Sequence, residues 1–341
     1  MTNHGTLGGE CRTPRFGVVD RVRLRRLTST RTCVRMGDTV AVVTDTSTLT
    51  AAATFLTANA RLLDQHRYRL LTGNSDPEAT LSALAAYRNP DGGYGHGLEP
   101  DLRSPESQPA AALHALEVLA ELGPVTSSQA GQLCDWLLTA SLPDGGLPFA
   151  LPITTPESCA PFWVQADPTT SSLQITAVVT LHAHRVAVHD RAVADHPWLA
   201  RATEFCVSAI RALREEDRTP HAIELAFAVR FADVLSARHP EIARDLFDVL
   251  GAFVPADGTV HVQGGAEDEY MRPLDFAPAP GSAQQLLSPE AIEADLERLR
   301  SGQADDGGWT VDFVSYSPAA ALEWRGYATV GALRTLIAYD G

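Results

Sequence analysis

The groups in this sequence best suited to chemistry are carboxylates that lie close to aromatic residues. Glu99 and Asp101 stand two apart in His96–Ser104 (HGLEPDLRS). Such a pair can supply an acid, or hold Mg²⁺ together with a diphosphate. It can equally be two solvated charges matched by Arg88 and Arg103. Glu323, in Leu322–Gly326 (LEWRG), can face a cavity or pair with Arg325. Asp167 follows Phe162 and Trp163 and precedes Pro168. An acid that donates a proton to carbon must stay neutral at working pH, which requires apolar burial or a neighbouring anion. Phe162 and Trp163 could supply the apolar wall. A helix starting at Pro168 would instead favour the anion and make Asp167 an N-cap.

The aromatic residues Tyr94, Phe149, Phe162, Trp163, Trp309, Phe313, Tyr316, Trp324 and Tyr327 fall in or next to a few loops. Their faces can stabilise a developing cation, or simply pack those loops. Other chemistries lack their motifs. There is no H-E-x-x-H for zinc, no G-x-S-x-G for a nucleophilic serine and no phosphate-binding P-loop. The five cysteines are scattered without a C-x-x-C pair and read as free thiols, so no metal site is expected.

The elements that must position these residues read as helices from about Thr46 onward. Apolar residues recur at three-to-four spacing, and Ala and Leu dominate. The pattern predicts helices near 47–71, 77–88, 106–122, 126–140, 168–187, 196–214, 219–238, 240–253, 288–302 and 321–339. Ser107, Thr126, Asp167 and Ser288 are the expected N-caps, Pro168 and Pro289 first-turn residues, and Gly123 a C′ residue. A repeat punctuates the helices: Asp91-Gly92-Gly93, Asp144-Gly145-Gly146 and Asp306-Gly307-Gly308, with Asp257-Gly258 as a reduced copy. Each is expected to be a tight turn, placing the loops that follow at one end of the helix assembly.

The segments Arg300–Trp309 (RSGQADDGGW) and Arg88–Gly95 (RNPDGGYG) resemble the repeat of triterpene cyclases and protein prenyltransferases. The resemblance covers most of residues 75–340. It implies an all-α fold, a single α/α toroid in which a double ring of helical hairpins surrounds a central cavity. In addition, Gln165–Thr170 (QADPTT) resembles the D-x-D-D-T segment of class II terpene cyclases, with Asp167 on the acid and Thr169 on the threonine; Gln165 and Pro168 replace the flanking carboxylates. The resemblance thus implies acid-initiated cyclisation of a linear isoprenoid, with Asp167 as proton donor and Glu99 or Asp101 as alternatives. Tyr94, Phe162, Trp163, Thr169, Trp309, Phe313, Tyr316, Glu323, Trp324 and Arg325 would line the substrate site. No cofactor is expected, apart from Mg²⁺ for a diphosphate substrate. The alternatives are a non-catalytic toroid that binds a lipid or protein partner, and a carbohydrate-active α/α barrel working with two carboxylates.

Composition narrows the partners. A net charge of −15 argues against general nucleic-acid binding, and no apolar run approaches the roughly 20 residues of a membrane span. A cytoplasmic enzyme is expected. Residues 1–40 read as a disordered basic leader, with eight Arg before Met36, and 41–341 as the toroid domain. The long stretch between 253 and 288 reads as a lid or a flexible loop.

Overall fold

The computed structural model describes residues 45–74, 76–215 and 218–341. Residues 1–40 and 41–341 are separate units, and the expected basic leader lies outside the described residues. The second unit is all-α. Its helices are α1 (Thr46–Asn59), α2 (Leu62–Leu71), α3 (Pro77–Ala85), α4 (Pro109–Glu121), α5 (Ser128–Ala140), α6 (Pro161–Val164), α7 (Leu173–Val186) and α8 (Arg191–Ala194). They continue as α9 (Pro197–Ala212), α10 (Ala222–Leu235), α11 (Pro240–Leu250), α12 (Pro273–Phe276), α13 (Pro289–Ser301) and α14 (Pro318–Asp340). The one sheet among the described residues pairs β1 (Val260–His261) with β2 (Tyr270–Met271).

Burial sorts the helices into two kinds. In α4 every residue from Pro109 to Leu119 is buried, and α7 is buried continuously from Ile175 to Ala183. Helices covered all round belong in an interior. By contrast α9 buries one stripe, Trp198, Leu199, Ala202, Cys206 and Ile210, at the spacing of an amphipathic surface helix. The interior helices α4, α7 and α10 pack in series, while α14 packs on α1 and α2.

The DGG turns explain how the two kinds are joined. Gly92, Gly145 and Gly307 adopt nearly the same left-handed φ of 94°, 92° and 92°. In each turn the aspartate accepts from the backbone N–H two residues on, at Gly93, Gly146 and Gly308. Asp91 and Asp144 also accept from Ser107 and Ser171 just ahead of the next interior helix. The middle glycine lies flat on a neighbouring outer helix. A Cβ on Gly92 would come within 2.9 Å of the Gln132 carbonyl in α5, and one on Gly145 within 2.9 Å of the Arg201 carbonyl in α9. The third turn makes the same contact, closer still, with Ala51 in α1. Gln303 reinforces it by donating to the Thr48 carbonyl at 3.0 Å. The C-terminal repeat is therefore stapled to the first described helix.

Several local expectations shift. The predicted helix over 47–71 breaks at Arg61, whose guanidinium donates to the buried Asp64 at 2.8 Å and to the Leu98 carbonyl at 3.0 Å. Ser288 caps α13 and Gly123 has positive φ, both as expected. The caps of α5 and α7 are Ser127 and Ser172, one and five residues after Thr126 and Asp167. Ser107 does not cap α4, because its hydroxyl is committed to Asp91. The stretch expected to be a lid is pinned instead. Asp295 accepts from Leu274 N at 2.9 Å, Asp233 from Ala283 N at 2.8 Å, and Tyr339 donates to the Ala277 carbonyl at 2.8 Å.

Candidate functional site

Asp101 lies at the meeting point of three loops that precede interior helices. Its own loop is held by a left-handed His96 (φ 56°), whose backbone N–H donates to the Ser104 carbonyl and whose ring meets Asn89. The Asp101 carbonyl accepts from Ala160 N at 2.8 Å, which docks the loop leading into α6. Its carboxylate accepts from Tyr316 N at 2.9 Å and from the Trp324 indole Nε1 at 2.7 Å. These bonds fasten the segment leading into α14. Asp101 is only 4% exposed. Burial raises its pKa above the usual aspartate value, against the opposing pull of the two N–H donors.

Aromatic rings surround this carboxyl in two runs. Phe149 stacks on Trp163 at 4.6 Å, Trp163 meets Phe162, and Phe162 meets Tyr316 edge-on at 5.6 Å. On the other side Phe313, Trp324, Tyr327 and His114 follow one another edge to face. Phe162 and Tyr316 are about half exposed, so the cluster opens to solvent. At the rim Arg103 donates to Glu323 at 2.6 Å. Glu99 lies beneath, its Oε2 2.8 Å from His114 Nε2 and its Oε1 accepting from Asp101 N. Burial alone would depress the His114 pKa, but Glu117 and Glu99 outweigh it and raise it.

The structure thus brings together Glu99, Asp101, Phe162, Trp163, Phe313, Tyr316, Glu323 and Trp324. It does not bring in the other expected residues. Asp167 is exposed and accepts from Thr169 N, Thr169 Oγ1 and Thr170 Oγ1. Those bonds lower its pKa, the reverse of what a proton donor needs, and it caps no helix. Thr169 serves only that turn. Tyr94 is wholly buried and donates to Gln129 at 3.0 Å. Trp309 is buried; its indole donates to the Leu299 carbonyl in α13 and its backbone N–H to Thr329 Oγ1 in α14, joining the two helices. Arg325 pairs with Asp306 of the third DGG turn and covers the Phe55 ring, so it is not the partner of Glu323. Arg88 likewise meets Gln132 and neither acid of the loop.

Below the mouth the interior is ionic. Arg67 bridges Glu117 at 3.0 Å and Glu121 at 2.6 Å, and its guanidinium lies 5.0 Å from the centre of the Tyr327 ring. Arg334 meets the same two glutamates. Arg67, His114 and Arg334 hold Glu117 well below the usual carboxylate range, although its burial acts the other way. The resemblance implies a central cavity with aromatic residues along the substrate site; in the structure rings lie at the top of the site and ion pairs lie beneath them. The sequence carries one sign of this floor that the motif reading passed over: His114, Glu117 and Glu121 recur at helical spacing in an otherwise apolar helix. Both Glu99 oxygens are committed to protein groups, and no cluster of three or more potential metal ligands occurs among the described residues.

No family model matches the chain, and no curated protein matches it. Among solved structures it is similar to a crystal structure of a protein from Actinoplanes. That likeness has a TM-score of 0.50 and covers 85% of this chain and 98% of the other at 16% identity. At that identity it bears on the fold alone. No helix among the described residues is long and apolar enough to cross a membrane.

Proposed function

We propose that the helices close into an α/α toroid and that the aromatic mouth is an acid-initiated isoprenoid cyclisation site, with Asp101 in place of Asp167 as the proton donor. The observation that carries this reading is a buried carboxyl of raised pKa set among aromatic rings at a solvent-open mouth. In the step proposed, the Asp101 O–H bond breaks and its proton bonds to one alkene carbon, leaving a cation on the other. Each carboxylate oxygen keeps a free lone pair beside the N–H bond it accepts. Those N–H groups stabilise the anion left behind, and the faces of Phe313 and Trp324 stabilise the cation. Loss of a proton from the cyclised cation completes the balance.

The test is Asp101→Asn assayed on linear C10–C30 isoprenoids and their diphosphates, with products read by gas chromatography and mass spectrometry. Removing a general acid costs roughly 10²–10⁴-fold in rate. Turnover equal to the wild type would remove Asp101 from the mechanism. A second reading has its own support, because both Asp101 oxygens tether the 316–324 segment. In that reading the mouth binds an apolar ligand without transforming it. An isoprenoid carried unchanged through purification, with no turnover by the wild type, would favour it.

A further inference from the structure

The C-terminal ends of α2, α4 and α7 border a cavity of about 400 Å³. It lies behind the ionic floor described above and shares Arg67, Glu117, Glu121 and Arg334 with it. Its size falls in the range of small-molecule sites. Three guanidiniums line it, Arg67, Arg185 and Arg334, against two carboxylates, Glu117 and Glu121. Both carboxylates are already shared between Arg67 and Arg334. Arg185 is left over: among the described residues it makes no hydrogen bond or ion pair. Like charges on Arg230 and Arg334 act on it as well, and Glu117 and Asp233 offset them only in part. Burial and then the Arg230 charge depress its pKa to about 10. A guanidinium that burial and like charges both disfavour is one that an incoming anion would relieve.

The other walls indicate what the anion is attached to. Leu70, Leu71 and Val188 line the same cavity, and Val188 is 57% exposed. His182, also in the lining, is held neutral by burial, so it adds no further charge. A single carboxylate would offset Arg185 alone. A phosphate dianion offsets Arg185 and also the neighbouring Arg230, whose buried Nε has no hydrogen-bond partner, with oxygens enough for a forked guanidinium contact. We propose that this cavity binds a phosphate monoester bearing a small apolar group, anchored by the guanidinium of Arg185. This goes beyond the reading of the mouth and does not depend on it.

The experiment titrates the full chain with phenyl phosphate, inorganic phosphate and benzoate at constant ionic strength, by calorimetry and thermal melting. Phenyl phosphate should bind more tightly than either of the others and raise the melting temperature. Arg185→Gln should weaken it by roughly tenfold or more, the loss of a charge-assisted contact. Without ligand, Arg185→Gln should melt at or above the wild-type temperature, since it removes a charge disfavoured by burial; this separates lost binding from lost folding. Asp101→Asn should bind phenyl phosphate as the wild type does, which keeps this test apart from that of the mouth. No binding of phenyl phosphate, or equal binding by Arg185→Gln, would overturn the site. Inorganic phosphate binding as tightly would overturn the apolar subsite, and benzoate binding as tightly would overturn the preference for phosphate.

Discussion

Two aspartates that look alike in the sequence end in opposite states. Asp101 is buried among rings and its pKa rises; Asp167 is exposed among hydroxyls and its pKa falls. Environment decides a carboxyl's role, and a short motif carries little of that environment. Because the Trp324 indole donates to Asp101, Trp324 emission should titrate with that carboxyl, with a midpoint above 3.8. The titration should vanish in Asp101→Asn, and its persistence there would assign it to another group. The buried ions make a second prediction. Glu117→Ala leaves Arg67 and Arg334 each short of a partner in the interior, which should cost about 3–5 kcal/mol in chemical denaturation. The pH window follows from the shifts. Glu117, being depressed, contributes stability above its unfolded pKa and loses it only as pH falls through a low folded value. His114, being raised, contributes below its unfolded value of about 6.5 and loses that contribution as pH rises through its folded value. Their shared contribution is therefore greatest in mildly acidic solution. Of the site, the aromatic residues and the 99–101 pair were legible because composition and loop position mark them. The Tyr316 and Trp324 bonds to Asp101, and the pairing of Arg103 with Glu323 in place of the 99–101 acids, were not legible, since those contacts span 215, 223 and 220 residues.

At the scale of elements, the DGG repeat was the most legible feature, because an aspartate followed by two glycines permits few other conformations. What the spacing could not show is why the middle glycine is required. The answer is a neighbour's carbonyl that leaves no room for Cβ. Gly92→Ala and Gly145→Ala should each destabilise by about 1–3 kcal/mol through strained φ plus that contact, and Gly307→Ala by more. Gly331 is the control. It lies inside α14 with nothing within 4 Å of a built Cβ, so Gly331→Ala should stabilise by about 0.5–1 kcal/mol. Thermal melts of the four variants check the ordering. Helix existence was read well and helix ends less well. Arg61 interrupts a continuous apolar pattern by capturing Asp64 and Leu98, a tertiary gain that local periodicity does not register. The same holds for 253–288, whose polar, proline-rich sequence resembles a loop but whose backbone is tied down by Asp233, Asp295 and Tyr339.

Across the whole second unit, the charge distribution is the least expected property. The acidic chain buries Asp64, Glu99, Asp101, Glu117, Asp190 and Asp295 together with Arg67, so carboxylates outnumber arginines in its interior among the described residues. Asp275 shows what crowding of carboxylates does near the surface. Packing by neighbouring protein, then the charges of Asp295 and Asp312, push its pKa up to about 6 against the hydrogen bond from Arg272 N. A raised folded pKa means a contribution present below the unfolded value near 3.8 and lost as pH rises through about 6. Asp275→Asn should therefore melt higher than the wild type at pH 8 and match it at pH 4. Equal melting at both would show that solvent screens this carboxyl completely.

The staple between the last DGG turn and α1 also bears on how the chain comes off the ribosome. Gln303 reaches back to Thr48 across 255 residues, and the oily side of α1, Ala52, Phe55 and Leu56, is finally covered by that late-made segment and α14. At about 5–20 residues per second, the first helix must wait tens of seconds for its cover. During that interval its apolar face is open to capture by a chaperone.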